Sequence, residues 1–310
     1  MKHTWNVTLI LAGLFLASQL LGLALLYNIF SVGTDEFGRP VLVYQETILG
    51  PRPDIQGPET LILLLSSVAF GTVFILLVIR FGRFGIWKAF FFFTVFITIW
   101  VALAVMIDAM VALGIAVVAA ALKVRAGNVF IHNLTEPFLY AGMALILVPL
   151  LSVPWALALL AVISIYDYWA VFRSKHMVTI AKGLQKSTVF AGLSIPYKKS
   201  GEIESRYEKS KGRARKGDYE TEEVNTAGLG GGDIAFPLLF TGTVLQALVL
   251  SGLPKASAFL LTLILPAVLT ITLVLMLLKA SKGKFYPAMP VLSAGCLIGY
   301  LLVLGAAWVV

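Results

Sequence analysis

An all-α, polytopic membrane protein with nine transmembrane helices is the fold class predicted for this 310-residue chain by three observations. Hydrophobic residues make up 59% of it and charged residues 13%, with a mean hydropathy of +0.92, which excludes a soluble domain. The apolar residues gather into segments close to the length that crosses a hydrocarbon core of about 30 Å. Laid out in turn, those segments leave most basic residues on one side of the membrane, as the positive-inside rule requires.

The expected spans are residues 7–30, 61–79, 90–107, 109–122, 138–151, 154–172, 234–250, 256–278 and 289–310. The first is too long, and too poorly supplied with a small-residue cleavage signal, to read as a cleaved signal peptide. Two divisions rest on length. Residues 90–122 are punctuated only by Asp108, and residues 138–172 only by Ser152 and Pro154. Either stretch as one helix would run about 50 Å, well beyond the membrane core, so both are expected as tight helical hairpins.

With the N-terminus inside and the C-terminus outside, 21 of the 24 lysines and arginines are internal; only Arg39, Arg52 and Lys255 are not. The outer loop 31–59 carries five acids against two arginines. Merging either hairpin would move a basic loop to the wrong face. The chain therefore divides into a six-helix bundle over 1–172, a polar inner connector over 173–227 and a three-helix bundle over 228–310. The connector, with its run YEKSKGRARKGDYETEEVN, is expected to be largely disordered. Its earlier part, MVTIAKGLQKSTVFAGLSIP, has amphipathic spacing suited to the inner membrane surface.

Composition also sets what the chain lacks. Cys296, the single cysteine, falls in an apolar run and reads as a small buried residue, with neither disulfide nor thiolate metal site. No Walker loop, dinucleotide fingerprint or nucleic-acid module occurs, so topology accounts for the net charge of +8. No nucleic-acid partner, cofactor or metal is expected. The lipid bilayer is the chain's solvent, and self-association into a homo-oligomer stays open.

Two aspartates interrupt the apolar spans: Asp167 in ALLAVISIYDYWAVF and Asp233 in GLGGGDIAFPLLF. A carboxylate near the middle of a membrane helix costs about 2.5 to 3.5 kcal/mol on insertion scales, so two of them point to chemistry or ion handling. Asp167 lies about five residues before the inner end of the sixth span, roughly 8 Å deep at helical rise. Asp233 opens the seventh span from the same side. Neighbouring carboxylates do not readily both ionise; they share a proton, so one acts as general base for water while the other polarises a carbonyl. That is the equipment for peptide-bond hydrolysis without a metal or covalent intermediate.

Gly230, Gly231 and Gly232 strip side chains from the approach to Asp233, and helix is not expected to persist through them. An extended edge there could hold an unwound substrate by strand addition. At the inner start of the ninth span, Pro287, Ala288, Met289 and Pro290 form PAMP, which the prolines keep irregular until the helix begins. Tyr166 precedes Asp167 and reads equally as a helix-interface aromatic.

In these residues the chain resembles the GxGD intramembrane aspartyl proteases, the family of presenilin and signal peptide peptidase. Tyr166 and Asp167 match its YD motif, Gly230 to Asp233 its GxGD motif, and Pro287, Ala288 and Met289 its PAL motif. The resemblance spans all nine helices and implies a presenilin-like fold. It also implies an Asp167–Asp233 catalytic dyad and an active site shaped by PAMP, acting on transmembrane proteins or peptides. Glycine at the x of GxGD and Met289 for leucine depart from the pattern and bear on substrate choice. The inner N-terminus and second proline resemble presenilin, whereas GGGDIAFP is nearer the peptide peptidase. Short loops and a single chain suggest a microbial, archaeal homologue in a cell membrane.

The competing class is an ion- or proton-coupled transporter, which also places paired carboxylates beside broken helices but predicts inverted repeats; no convincing one is found. Zinc and serine intramembrane proteases are excluded by inventory: there is no HExxH and no GxSG, and His3, His132 and His176 fall outside the expected spans.

Overall fold

The computed structural model describes residues 5–53, 55, 57–125, 128–173, 192–197, 225–279 and 286–308. α1 (Trp5–Ile29) leads into a short ribbon of β1 (Phe30–Thr34) and β2 (Pro40–Tyr44), antiparallel with Phe30 opposite Tyr44. Asp35 closes the ribbon's turn, its carboxylate accepting from the amides of Phe37 and Arg39 at 2.9 and 2.8 Å and from Arg39 Nε at 2.8 Å. The Arg39 amide above all holds this carboxyl below the usual carboxylate range. The loop expected outside, 31–59, thus contains strands where only an acidic connector was expected.

α2 (Pro58–Phe81) ends at Gly82, whose left-handed φ of 65° lets its amide turn back to the Ile79 carbonyl. α3 (Phe84–Ala104) and α4 (Ala109–Arg125) form the first expected hairpin. Asp108 divides them because it caps α4, accepting from the amides of Met110 and Val111 at 2.9 and 3.2 Å. α5 (Val129–Leu147) is capped in the same way by Asn128 and runs into a 3-10 turn, Val148–Leu150. α6 (Val153–Phe172) follows with Pro154 in its first turn, so the second division also stands.

β3 (Gly192–Tyr197) pairs antiparallel with β4 (Asn225–Gly230), which passes directly into α7 (Gly231–Leu250). The eighth span is broken at Leu263 into α8 (Lys255–Thr262) and α9 (Ile264–Lys279), because Pro266 in the first turn of α9 has no amide for the Thr262 carbonyl. α10 (Met289–Ala307) completes the described chain.

α7 is the centre of the bundle. Ile234, Leu238, Val244 and Leu245 are fully enclosed, and α1, α5, α6, α8 and α10 pack around it. Small residues set the closest approaches: a Cβ on Gly142 of α5 would collide with the Thr98 carbonyl of α3, and one on Gly242 of α7 would press on Leu26 and Val148. Outward-facing Ile62, Phe70, Ile271 and Leu301 are all more than 60% exposed, a surface that only lipid tolerates.

Among the described residues, eight helices are long and apolar enough to cross a membrane, counting α8 with α9 as one. α4, with 17 residues or about 26 Å, is the ninth and shortest. Three expectations need correction. α3 begins at Phe84 and α5 at Val129, earlier than 90 and 138; at the start of α5 the polar residues His132, Asn133 and Glu136 are satisfied inside the protein. Residues 192–196, expected within an amphipathic surface segment, belong instead to β3, with Leu193 and Ile195 buried. The rest of that connector, 174–191 and 198–224, lies outside the described residues.

Candidate active site

Asp167 lies on the face of α6 that also presents Leu160, Ile163 and Ala170 to the core, and is only 6% exposed. Its Oδ2 accepts from the Met289 amide at 3.1 Å, and the Ala288 amide also donates to the carboxylate. A helix start leaves its first amides without partners. Here the partner is a carboxylate from another helix, set against the positive end of α10. Of the residues Pro287 to Pro290, only Ala288 and Met289 possess an N–H, and both are spent on Asp167. Ser164 and Ser293 fasten the same two helices through a 2.7 Å hydroxyl contact.

Asp233 uses the corresponding device within its own helix. Gly230 is the extended N-cap of α7, with φ −62° and ψ 146°, and Asp233 is the third helical residue. Its carboxylate reaches back to the Gly230 amide, the acidic half of a capping box. The glycines therefore do not break a helix as expected: β4 ends at Gly230, while Gly231 and Gly232 form the first helical turn. None of the three has positive φ. What glycine provides is clearance, since a Cβ on Gly230 would stand 3.1 Å from Asp233 Oδ2, and one on Gly232 3.3 Å from the Phe236 ring.

Asp167 and Asp233 are brought within electrostatic reach of each other, each at a helix N-terminus. The positive ends of α7 and α10 favour the single negative charge that a proton-sharing pair keeps there. Tyr166 is placed differently. Its hydroxyl shares a 3.1 Å hydrogen bond with Thr72 of α2, which makes it a tie between helices.

A polar group that sequence reasoning missed adjoins this site. Lys123 of α4 and Glu136 of α5 form an ion pair at 2.6 Å with both side chains fully enclosed. Lys123 also donates to Thr135 Oγ1 and the His132 carbonyl, at 2.9 and 3.0 Å. Tyr140 donates to the other Glu136 oxygen and lies within electrostatic reach of Asp233. The signal in the sequence is His132, Glu136 and Tyr140 at four-residue spacing, straddling the expected start of the span at 138.

The same helix holds the ribbon. Asn133 takes both main-chain groups of Ser194, donating to its carbonyl at 2.8 Å and accepting from its amide at 3.0 Å, and His132 Nε2 donates to the Gly192 carbonyl at 2.6 Å. Ser194 is thus turned away from β4. Pairs in an antiparallel ladder alternate, so the main-chain groups of Thr226 and Gly228, opposite Pro196 and Ser194, also point outward, from the edge of β4 that pairs with no strand among the described residues.

Compared with known proteins, the chain matches a family model described as "Signal-peptide peptidase, presenilin aspartyl protease" over residues 60–309. No curated protein matches it. Two solved structures of a presenilin family intramembrane aspartate protease, in space groups C222 and P2, share the fold. The first has a TM-score of 0.57 at 19% identity, covering 96% of this chain and 99% of the other. The second has 0.56 at 20%, covering 96% of each.

Proposed function

The chain belongs to the signal-peptide peptidase and presenilin aspartyl protease family, and from that premise we propose that Asp167 and Asp233 are its catalytic dyad. It is a multi-pass intramembrane aspartyl protease whose substrates are membrane proteins. The observation carrying the assignment is that two carboxylates, from different spans, sit within electrostatic reach at the N-termini of α7 and α10.

The reaction is general acid–base hydrolysis. The ionised carboxylate takes a proton from water as its oxygen attacks the peptide carbonyl, while the protonated one gives its proton to the carbonyl oxygen. Collapse of the tetrahedral intermediate returns a proton to the departing amine. The proton belongs to the pair, and no fixed role is assigned to either residue. Ala288 and Met289 hold Asp167 through their amides, and Gly230 leaves room beside Asp233.

A peptide bond must leave helix before it can be attacked. The outward edge of β4 at Thr226 and Gly228, just before Asp233, suits an extended substrate segment, because α5 already covers the outer edge of β3. The charge bias supports an inner N-terminus and an outer C-terminus in a cell membrane, with the dyad toward the inner face.

Hydroxyl-bearing peptide isosteres, which place a tetrahedral carbon between the carboxylates, are expected to block cleavage, whereas chelators leave it intact. The check is mass spectrometry of products from several single-span substrates, with Asp233→Ala as the silent control. Inhibition by a zinc chelator with no response to isosteres would remove the aspartyl mechanism.

Replacing Pro287 and Pro290 together by alanine gives the start of α10 two further amide donors and a freer backbone, which loosens the pairing of Ala288 and Met289 with Asp167. Cleavage of long membrane substrates is expected to fall about tenfold or more, while a compact isostere still binds. Unchanged cleavage of several substrates would reduce PAMP to a helix start.

A further inference from the structure

We propose that His132 and Asn133 of α5 are positioning residues for proteolysis, latching β3 so that β4 delivers Gly230, and with it the substrate edge, to Asp233 in a single register. This rests on the assignment of Asp233 to the dyad. A two-stranded ribbon is marginal on its own, and its register is weakly specified where glycines replace packing side chains. β3 and β4 are such a ribbon: Gly192 faces Gly230, Ser194 faces Gly228, and the strands are separated by a long connector. Their register needs an external reference.

α5 supplies it. The Asn133 side-chain amide presents one acceptor and one donor, as a neighbouring strand's peptide group would, and engages both main-chain groups of Ser194. His132 holds the carbonyl two residues earlier, at Gly192. A slip of β3 by one residue would turn Leu193 and Ile195, 0% and 9% exposed, out of the core. A slip of two in one direction would bring Pro196, which has no N–H, opposite the Asn133 oxygen. The latch is itself fixed, since His132 Nε2 stands 3.5 Å from Glu136 Oε1 and Glu136 is locked to Lys123. One ladder rung then joins the His132–Gly192 contact to the Gly230–Asp233 contact.

The test uses the full chain in lipid vesicles with a single-span substrate, comparing wild type, Asn133→Ala, His132→Ala, His132→Gln and Asp233→Asn. The readouts are kcat, KM, product masses and thermal unfolding. Asn133→Ala and His132→Ala are expected to lower kcat on the order of tenfold with little change in KM, and to scatter the cuts over neighbouring peptide bonds. His132→Gln, whose terminal amide can reach the same carbonyl, is expected to restore both rate and cut position. Should Asn133→Ala fail to fold, the two His132 variants decide. Cuts at wild-type positions with losses that follow the folded fraction, or Gln no better than Ala, would overturn the latch while a silent Asp233→Asn keeps the dyad. An active Asp233→Asn would overturn both.

Discussion

Asp167→Asn and Asp233→Asn are each expected to abolish cleavage of single-span substrates, by roughly 10⁴-fold or more, and the double variant to be no worse. Either change removes the shared proton on which water activation depends. The fold should survive, because an asparagine carbonyl oxygen can still accept from the Met289 amide at position 167 and from the Gly230 amide at position 233. The loss is therefore chemical and separable from unfolding. Product masses and thermal unfolding measured on the same preparations check this, and residual activity above background in either single variant would sink the dyad.

The largest expected effect on stability lies in the Lys123–Glu136 pair. Lys123→Met or Glu136→Leu alone leaves a charge enclosed without its counter-ion, and each is expected to cost about 3–5 kcal/mol. The double variant replaces the pair by apolar side chains and should recover most of that loss. Recovery is incomplete because Tyr140 loses its acceptor, a residual penalty of about 1–3 kcal/mol. Reversible unfolding of the four proteins in mild detergent closes the cycle. Additive losses in the double variant would show that the two side chains do not act as a pair.

Much of the architecture was legible because local chemistry and membrane length agree. Asp108 divides two spans by capping α4, and Pro154 starts α6, so a polar or proline residue within an overlong apolar run was a sound marker. The aspartates stood out for the converse reason: nothing in their own spans balances their cost. Other features escaped detection. α5 starts before the expected 138, because Lys123, His132, Asn133 and Glu136, each unfit for a bilayer alone, satisfy one another and a strand. The two ribbons escaped because short strands leave little periodicity, and β4 carries glycine at 228 and 230.

By itself, then, the sequence determined the class and most of the spans, and pointed to a basic face and to the two carboxylates, all of which follow from how each residue partitions between water and hydrocarbon. Only the tertiary structure decided what those residues do for one another. It showed Ala288 and Met289 donating to Asp167, Gly230 donating to Asp233, and Asn133 taking the place of a strand against Ser194. These are hydrogen bonds between groups far apart in the chain. A residue's hydropathy says that it needs a partner in the membrane, and only the packed helices say which one it has.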